Sequence, residues 1–281
     1  MPEMLETLKV FLSYPFAIYA LICTALVSLC ASLLGTTLVL KRFSFIGDGL
    51  SHVAFGALAI ATVLRIAEEL YIVLPVTVLC AILILRLGQS AKVKGDAAIA
   101  MLSVTALSAG YLLLNKFPAG SNIAGDVCTA LFGSTNLVVL KGSDVIISVV
   151  MCLLTVLFFI VFYNRIFSVT FDENFASATG TNTKFINTAT AVIIAIVIVL
   201  AMKLVGSLLI SALVVFPALS SMRVCKSFKG VTVCSTAIAV STSVTGILLS
   251  VVIDTPVGAT IVALQAIVFA AFFIAGKIRR K

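Results

Sequence analysis

Asp48 and His52 stand four residues apart in the segment FSFIGDGLSHVAFG (43–56). On a helix that spacing brings both side chains to one face. His52 is the only histidine in the chain, and Asp48 follows the basic pair Lys41-Arg42 by several residues, inside an otherwise apolar run. A carboxylate beside an imidazole suits Zn²⁺, Mn²⁺ or Fe²⁺. The structural alternative is a pair that only satisfies itself between packed helices. Residue types leave both open, although ionisable groups at membrane depth are costly and face cavities or ion pathways. One Asp and one His fall short of a four-coordinate shell, whereas a two-fold pairing of chains along this helix would supply two of each. Gly47, Gly49, Ser51 and Gly56 would let another helix approach closely, from a second copy or from the same chain.

Other candidates are weaker. Asp126, in the outer break 115–144, and Asp254 are expected at the outer ends of helices, where a carboxylate draws cations toward a pathway. Each is also a turn or cap residue, and Thr255-Pro256 after Asp254 favours the cap. The segment FDENFASATG (171–180) has the pattern of a short amphipathic helix. Phe171, Phe175 and Ala178 would share one face, Asp172 and Glu173 would open it, and Gly180 would stop it. Such a segment is either an ordinary connector or a helix that docks in a groove of a cytoplasmic ATPase. The seven cysteines form no CxxC pair and sit mostly in apolar runs, where a thiol behaves as a small hydrophobe. There is no GxxxxGK[ST], no HExxH, no GxSxG and no array of membrane carboxylates. An enzyme, a P-loop ATPase and a proton relay therefore lack support.

The elements that must position these residues are membrane helices. Of 281 residues, 62% are hydrophobic and 11% charged, against about half and a quarter in soluble proteins. Apolar runs cover 15–40, 46–65, 70–86, 97–114, 145–166, 186–202, 204–222, 231–252 and 257–276. Most approach the ~20 residues needed to cross ~30 Å of hydrocarbon. They are continuously apolar instead of alternating, so they are helices and not barrel strands. The expectation is an all-α polytopic protein of eight or nine transmembrane helices, with 1–281 forming a single membrane domain surrounded by lipid. Only Lys203 separates 186–202 from 204–222, and with Gly206 and Pro217 nearby one of that pair is expected to be broken or half-inserted.

The net charge of +8 is explained by topology and needs no nucleic-acid partner. Of the 19 Lys and Arg residues, 14 lie in five clusters: Lys41-Arg42, Arg86/Lys92/Lys94, Arg165/Lys184, Arg223/Lys226/Lys229 and Lys277/Arg279/Arg280/Lys281. They alternate with breaks such as Glu68-Glu69 and Asp254, which is the positive-inside pattern. Nine crossings starting from outside put every cluster in the cytoplasm.

Five motifs occur in a fixed order: KRFSFIGDGLSH (41–52), ALFGS (130–134), FDENFASATG (171–180), AMKLVGSLLISALVVFPAL (201–219) and DTPVG (254–258). In these the chain resembles the permease subunits of the zinc/manganese/iron ABC importers over nearly its whole length. The resemblance implies an ABC importer permease fold in the bacterial inner membrane and a homodimer. It also implies a separate cytoplasmic ABC ATPase subunit and an extracytoplasmic metal-binding protein that delivers the ion. No cofactor would be permanently bound; zinc, or else manganese or iron, would pass as substrate. Asp48 and His52 match the acid and histidine of the family's metal path, and 171–180 matches its coupling element. The wording of AMKLVGSLL and DTPVG leans toward the zinc type. Some zinc-type members carry another histidine within the stretch corresponding to 98–110, and this chain has none there. The competing expectation is an ATPase-independent secondary transporter or channel for divalent cations.

Overall fold

A computed structural model describes residues 2–66, 68–87, 95–117, 140 and 142–278. The described elements are all helices. They are α1 (Pro2–Ser13), α2 (Pro15–Leu40), α3 (Ile46–Val63), α4 (Leu70–Leu87), α5 (Gly95–Lys116) and α6 (Gly142–Val161). Then follow α7 (Tyr163–Phe171), α8 (Glu173–Ala178), α9 (Thr183–Val205), α10 (Ser207–Val224), α11 (Phe228–Ile253) and α12 (Val257–Ile278). Eight of these, α2, α3, α5, α6 and α9–α12, are long and apolar enough to cross a membrane. The apolar part of α4 is shorter, Leu70–Leu85; with it the helices match the nine expected runs. The protein is a multi-pass membrane protein.

The marginal crossing is therefore α4, and not the 186–222 pair. Lys203 does not divide that pair: α9 runs on to Val205, Gly206 at φ +83° separates it from α10, and neither helix is itself broken. Glycine enters this region without the Cβ clash other residues meet. Both halves nevertheless stay long and apolar, and Pro217 remains inside α10. The helix α1 was not foreseen; it lies against α11 and α2, and Pro15 at the first position of α2 restarts the chain.

The core is built around α2, which packs against α6, α9, α10 and α11. Leu34, Leu38, Ile194, Ile198, Leu209, Ile210 and Leu213 are fully buried there. A second apolar cluster joins Phe159, Ile166, Val169, Ala176, Ile186 and Phe228. It gathers the end of α6, the helices α7 and α8, and the starts of α9 and α11. Arg223, near the end of α10, lies 4.7 Å from the Phe273 ring near the end of α12. The basic residues Lys41, Arg42, Arg165, Lys184, Arg223, Lys226 and Lys277 thus share one end of the bundle, as the charge pattern requires.

The segment 171–180 is not one helix. Asp172 is extended (φ −149°, ψ 99°) and separates α7 from a six-residue α8. Its carboxylate accepts a hydrogen bond from the Phe175 N–H at 2.9 Å, so it caps a new helix in place of continuing the old one. Gly180 at φ +85° ends the segment as expected.

Candidate functional site

The turn from α2 into α3 places the Asp–His pair. The Phe43 N–H reaches the Leu38 carbonyl at 2.9 Å and the Arg42 N–H reaches Val39 at 3.1 Å. This is a Schellman closure, with Arg42 in the left-handed position at φ 64°. The chain re-enters helix at Ile46, so Asp48 falls in the first turn of α3 and His52 one turn deeper. The hydroxyl of Ser51 donates to the Asp48 backbone carbonyl at 2.8 Å, and the Ser211 side chain of α10 lies beside the Asp48 carboxylate.

His52 Nε2 and Asp48 Oδ1 are 3.4 Å apart, with the two side chains 18% and 48% exposed. That separation is long for a hydrogen bond to a carboxylate. Two ligands bound to Zn²⁺ at 2.0–2.2 Å with a tetrahedral angle stand about 3.4 Å apart. The pair has the edge length of a tetrahedral site. His52 Nδ1 is buried and has no hydrogen-bond partner, which is costly unless something else engages it. Among the described residues no group of three or more His, Cys, Asp or Glu converges, so one chain supplies two donors here.

The small residues of α3 serve packing within the chain. A Cβ on Gly49 would lie 2.5 Å from Ile99 Cγ2, and one on Gly56 would lie 2.9 Å from the Ala106 carbonyl oxygen, both on α5. Gly47 faces Ser211 of α10 at 3.5 Å. Sequence spacing left a second copy as an equal partner for these glycines; they meet α5 and α10 instead.

Asp254 caps the end of α11 in the left-handed conformation (φ 55°), a region Asp enters more readily than most residues. It is exposed and sits at the far end of a 26-residue helix from Phe228, about 39 Å away along the axis. It is a turn residue remote from the basic end where Asp48 lies. Asp126 and the ALFGS element fall outside the described residues.

The candidate coupling residues divide between two roles. Phe171 ends α7 and touches Phe228 at 6.1 Å and Phe167 at 4.9 Å between ring centroids, yet it is 59% exposed. Phe175 is 63% exposed, and Ala178 is exposed as well. Ala176 is the α8 residue that enters the core. The apolar face foreseen for this segment points away from the protein, toward the solvent at the basic end.

Glu173, a coupling candidate from the sequence, also engages a residue outside that segment. Its Oε1 accepts from Asn187 Nδ2 at 2.8 Å, and Asn187 Oδ1 accepts from Lys41 Nζ at 2.6 Å. Burial pushes the Lys41 ammonium below its usual range, with Glu173 opposing the shift. This three-residue link ties α8, α9 and the α2–α3 turn together. A cavity of 610 Å³ opens beside it, lined by Lys41, Arg42, Phe43, Thr170, Glu173 and Ser177 among others. Lys41 and Asn187 are 146 positions apart, and no local signal in the sequence connects them.

Comparison with known proteins agrees with this architecture. The model of the ABC 3 transport family matches residues 13–276. The manganese import system permease protein ScaB of Streptococcus gordonii is 27% identical over 92% of this chain and 91% of its own length. The high-affinity zinc uptake system membrane protein ZnuB of Haemophilus influenzae is 26% identical over 89% of this chain and 94% of its own. Among solved structures, PsaBC from Streptococcus pneumoniae in complex with Fab superposes with a TM-score of 0.81 at 25% identity, over 95% of this chain and 94% of that one.

Proposed function

The chain belongs to the ABC 3 transport family, and on that premise we propose that it is the permease subunit of an importer carrying a divalent transition metal, zinc first, into the cytoplasm. Family membership favours this over an ATPase-independent carrier or channel. The observation that carries the metal assignment is the 3.4 Å edge between His52 Nε2 and Asp48 Oδ1, beside the unpartnered Nδ1 of the same ring. Asp48 offsets part of the ion's charge, and His52 contributes the borderline-soft nitrogen that zinc accepts readily. A second copy of the chain completes the four-ligand set, so the working unit is a homodimer. The related permeases named as manganese and zinc systems support a transition metal and leave the choice between them to experiment.

ATP is hydrolysed on a separate cytoplasmic subunit, since this chain has no P-loop. That subunit docks on α7 and α8, where Phe171 and Phe175 are solvent-exposed and Asp172 fixes the start of α8. An extracytoplasmic metal-binding protein delivers the ion at the opposite face.

The test is uptake of radiolabelled zinc or manganese, normalised to folded dimer, by Asp48→Ala, His52→Ala and the double variant Asp48→Leu/His52→Leu. Each single variant removes two of four ligands and is expected to abolish uptake while still assembling. Asp48→Asn keeps the shape but loses the charge and should fail nearly as badly. If the two residues were only structural partners, replacing both by leucine would restore a stable, active protein. Near-normal uptake by the double variant therefore rules out the metal-path role.

A further inference from the structure

We propose that Lys41, Asn187 and Glu173 are positioning residues that carry movement of α8 to the turn preceding the Asp48–His52 helix. The proposal rests on the ATP-driven reading above. Three observations support it. First, the link is continuous: Glu173 opens α8, Asn187 lies in the second turn of α9, and Lys41 begins the turn that leads into α3. Asp48 lies seven residues beyond Lys41, in the first turn of α3.

Second, the turn at the receiving end is tightly closed. Phe43 is buried, its N–H reaches back to Leu38, and its carbonyl accepts from the Ile46 N–H at 3.2 Å. A pull on Lys41 therefore moves the start of α3 and is not absorbed by a slack loop. Third, a 610 Å³ cavity lies between the two sides, with Lys41, Arg42 and Phe43 on one wall and Thr170, Glu173 and Ser177 on another. Apolar packing transmits displacement where side chains interlock, and a void forfeits such contacts. Along the edge of this cavity the polar link runs from Lys41 on one wall to Glu173 on the other, beside the apolar contact of Leu40 with the α7–α8 cluster. Asn187 is suited to the middle position, because its amide presents an acceptor to the ammonium and a donor to the carboxylate at once.

The chemistry also supplies the test. An amide can turn over and exchange its donor and acceptor ends, so exchanging the two charges should rebuild the link with Asn187 reversed. Membranes holding the permease with its ATPase subunit are assayed for retained ATPase subunit, ATP hydrolysis and zinc uptake. Asn187→Leu, Lys41→Glu alone and Glu173→Lys alone should keep the ATPase subunit bound but lower zinc taken up per ATP at least tenfold. The combined Lys41→Glu/Glu173→Lys exchange should recover most of that ratio. Unchanged uptake per ATP in Asn187→Leu overturns the proposal, as does an exchange variant no better than its single parents. Where a single variant fails to accumulate, the exchange variant decides by the same ratio. Zinc uptake by the unaltered protein that ignores ATP would overturn both this proposal and the importer reading. ATP-driven uptake that these variants leave intact sinks the link alone.

Discussion

Gly35 lies where α2 crosses α10, and replacing it by alanine separates a packing requirement from a chemical one. A Cβ built there would stand 2.4 Å from the Val214 carbonyl oxygen and 3.0 Å from that residue's carbonyl carbon and Cα. These are backbone atoms of a helix and cannot swing aside. A carbon rests about 3.5 Å from such neighbours, so the two helices must part by about 1 Å. Overpacking of this kind costs about 1–3 kcal/mol, and the better helix propensity of alanine returns at most about 1 kcal/mol. A net loss of about 1–2 kcal/mol lowers the melting temperature by about 2–8 °C in a chain of this size. Gly47→Ala is the control, because its Cβ would sit 3.5 Å from Ser211 Cα, an ordinary contact. It adjoins Asp48, yet it should leave stability unchanged or slightly higher. Ser211 meets α3 at Gly47 and not α2, so Gly35→Ala should lower metal uptake only as far as it lowers the amount of folded protein. The assay is thermal unfolding of the detergent-solubilised permease, with uptake measured in parallel. Equal melting temperatures for the two variants would refute the reasoning.

Two other outcomes follow from the basic end of the bundle. Phe175→Asp places a charge on an exposed ring position that no buried contact needs, so insertion and assembly should be normal while ATPase stimulation and uptake fall together; undiminished coupling removes α8 from the docking surface. In a background without native cysteines, a cysteine near Lys226 should be shielded from an impermeant thiol reagent in intact cells and one near Glu68 should be labelled. The reverse pattern would invert the topology and put α8 on the wrong side.

What was legible in the sequence follows the range of the interactions. The Asp48–His52 pair was visible because a helix turns an i,i+4 spacing into a shared face, and the two side chains stand 3.4 Å apart. The break near Gly206 was visible only in part: the lone charge of Lys203 suggested the divider, while the residue that takes a positive φ there freely is the glycine three positions on. The split at Asp172 was within reach: an Asp three residues before Phe175 is an N-cap signal, outweighed by the apparent periodicity of Phe171, Phe175 and Ala178. The Lys41–Asn187–Glu173 link was out of reach, since its members are brought together by the packing of α2, α8 and α9 and by nothing local. Asn187 itself lies among Thr and Ala residues at the start of a span and has no pattern that singles it out.

The glycines of α3 show why a small-residue stripe alone does not identify a partner. The same requirement, a close helix approach, is met by Gly49 and Gly56 against α5 and by Gly47 against α10. With those sides of α3 occupied inside the chain, the face left for chemistry is the one that carries Asp48 and His52. A bulky residue at Gly49 would collide with Ile99 and Ser103 and turn α3 about its axis. A rotation of 20° swings a side-chain donor ~6 Å from the axis by about 2 Å, comparable to a whole metal–ligand bond. The i,i+4 spacing sets the separation of Asp48 and His52, and the glycines, by fixing the rotation of α3, set the direction in which the pair points.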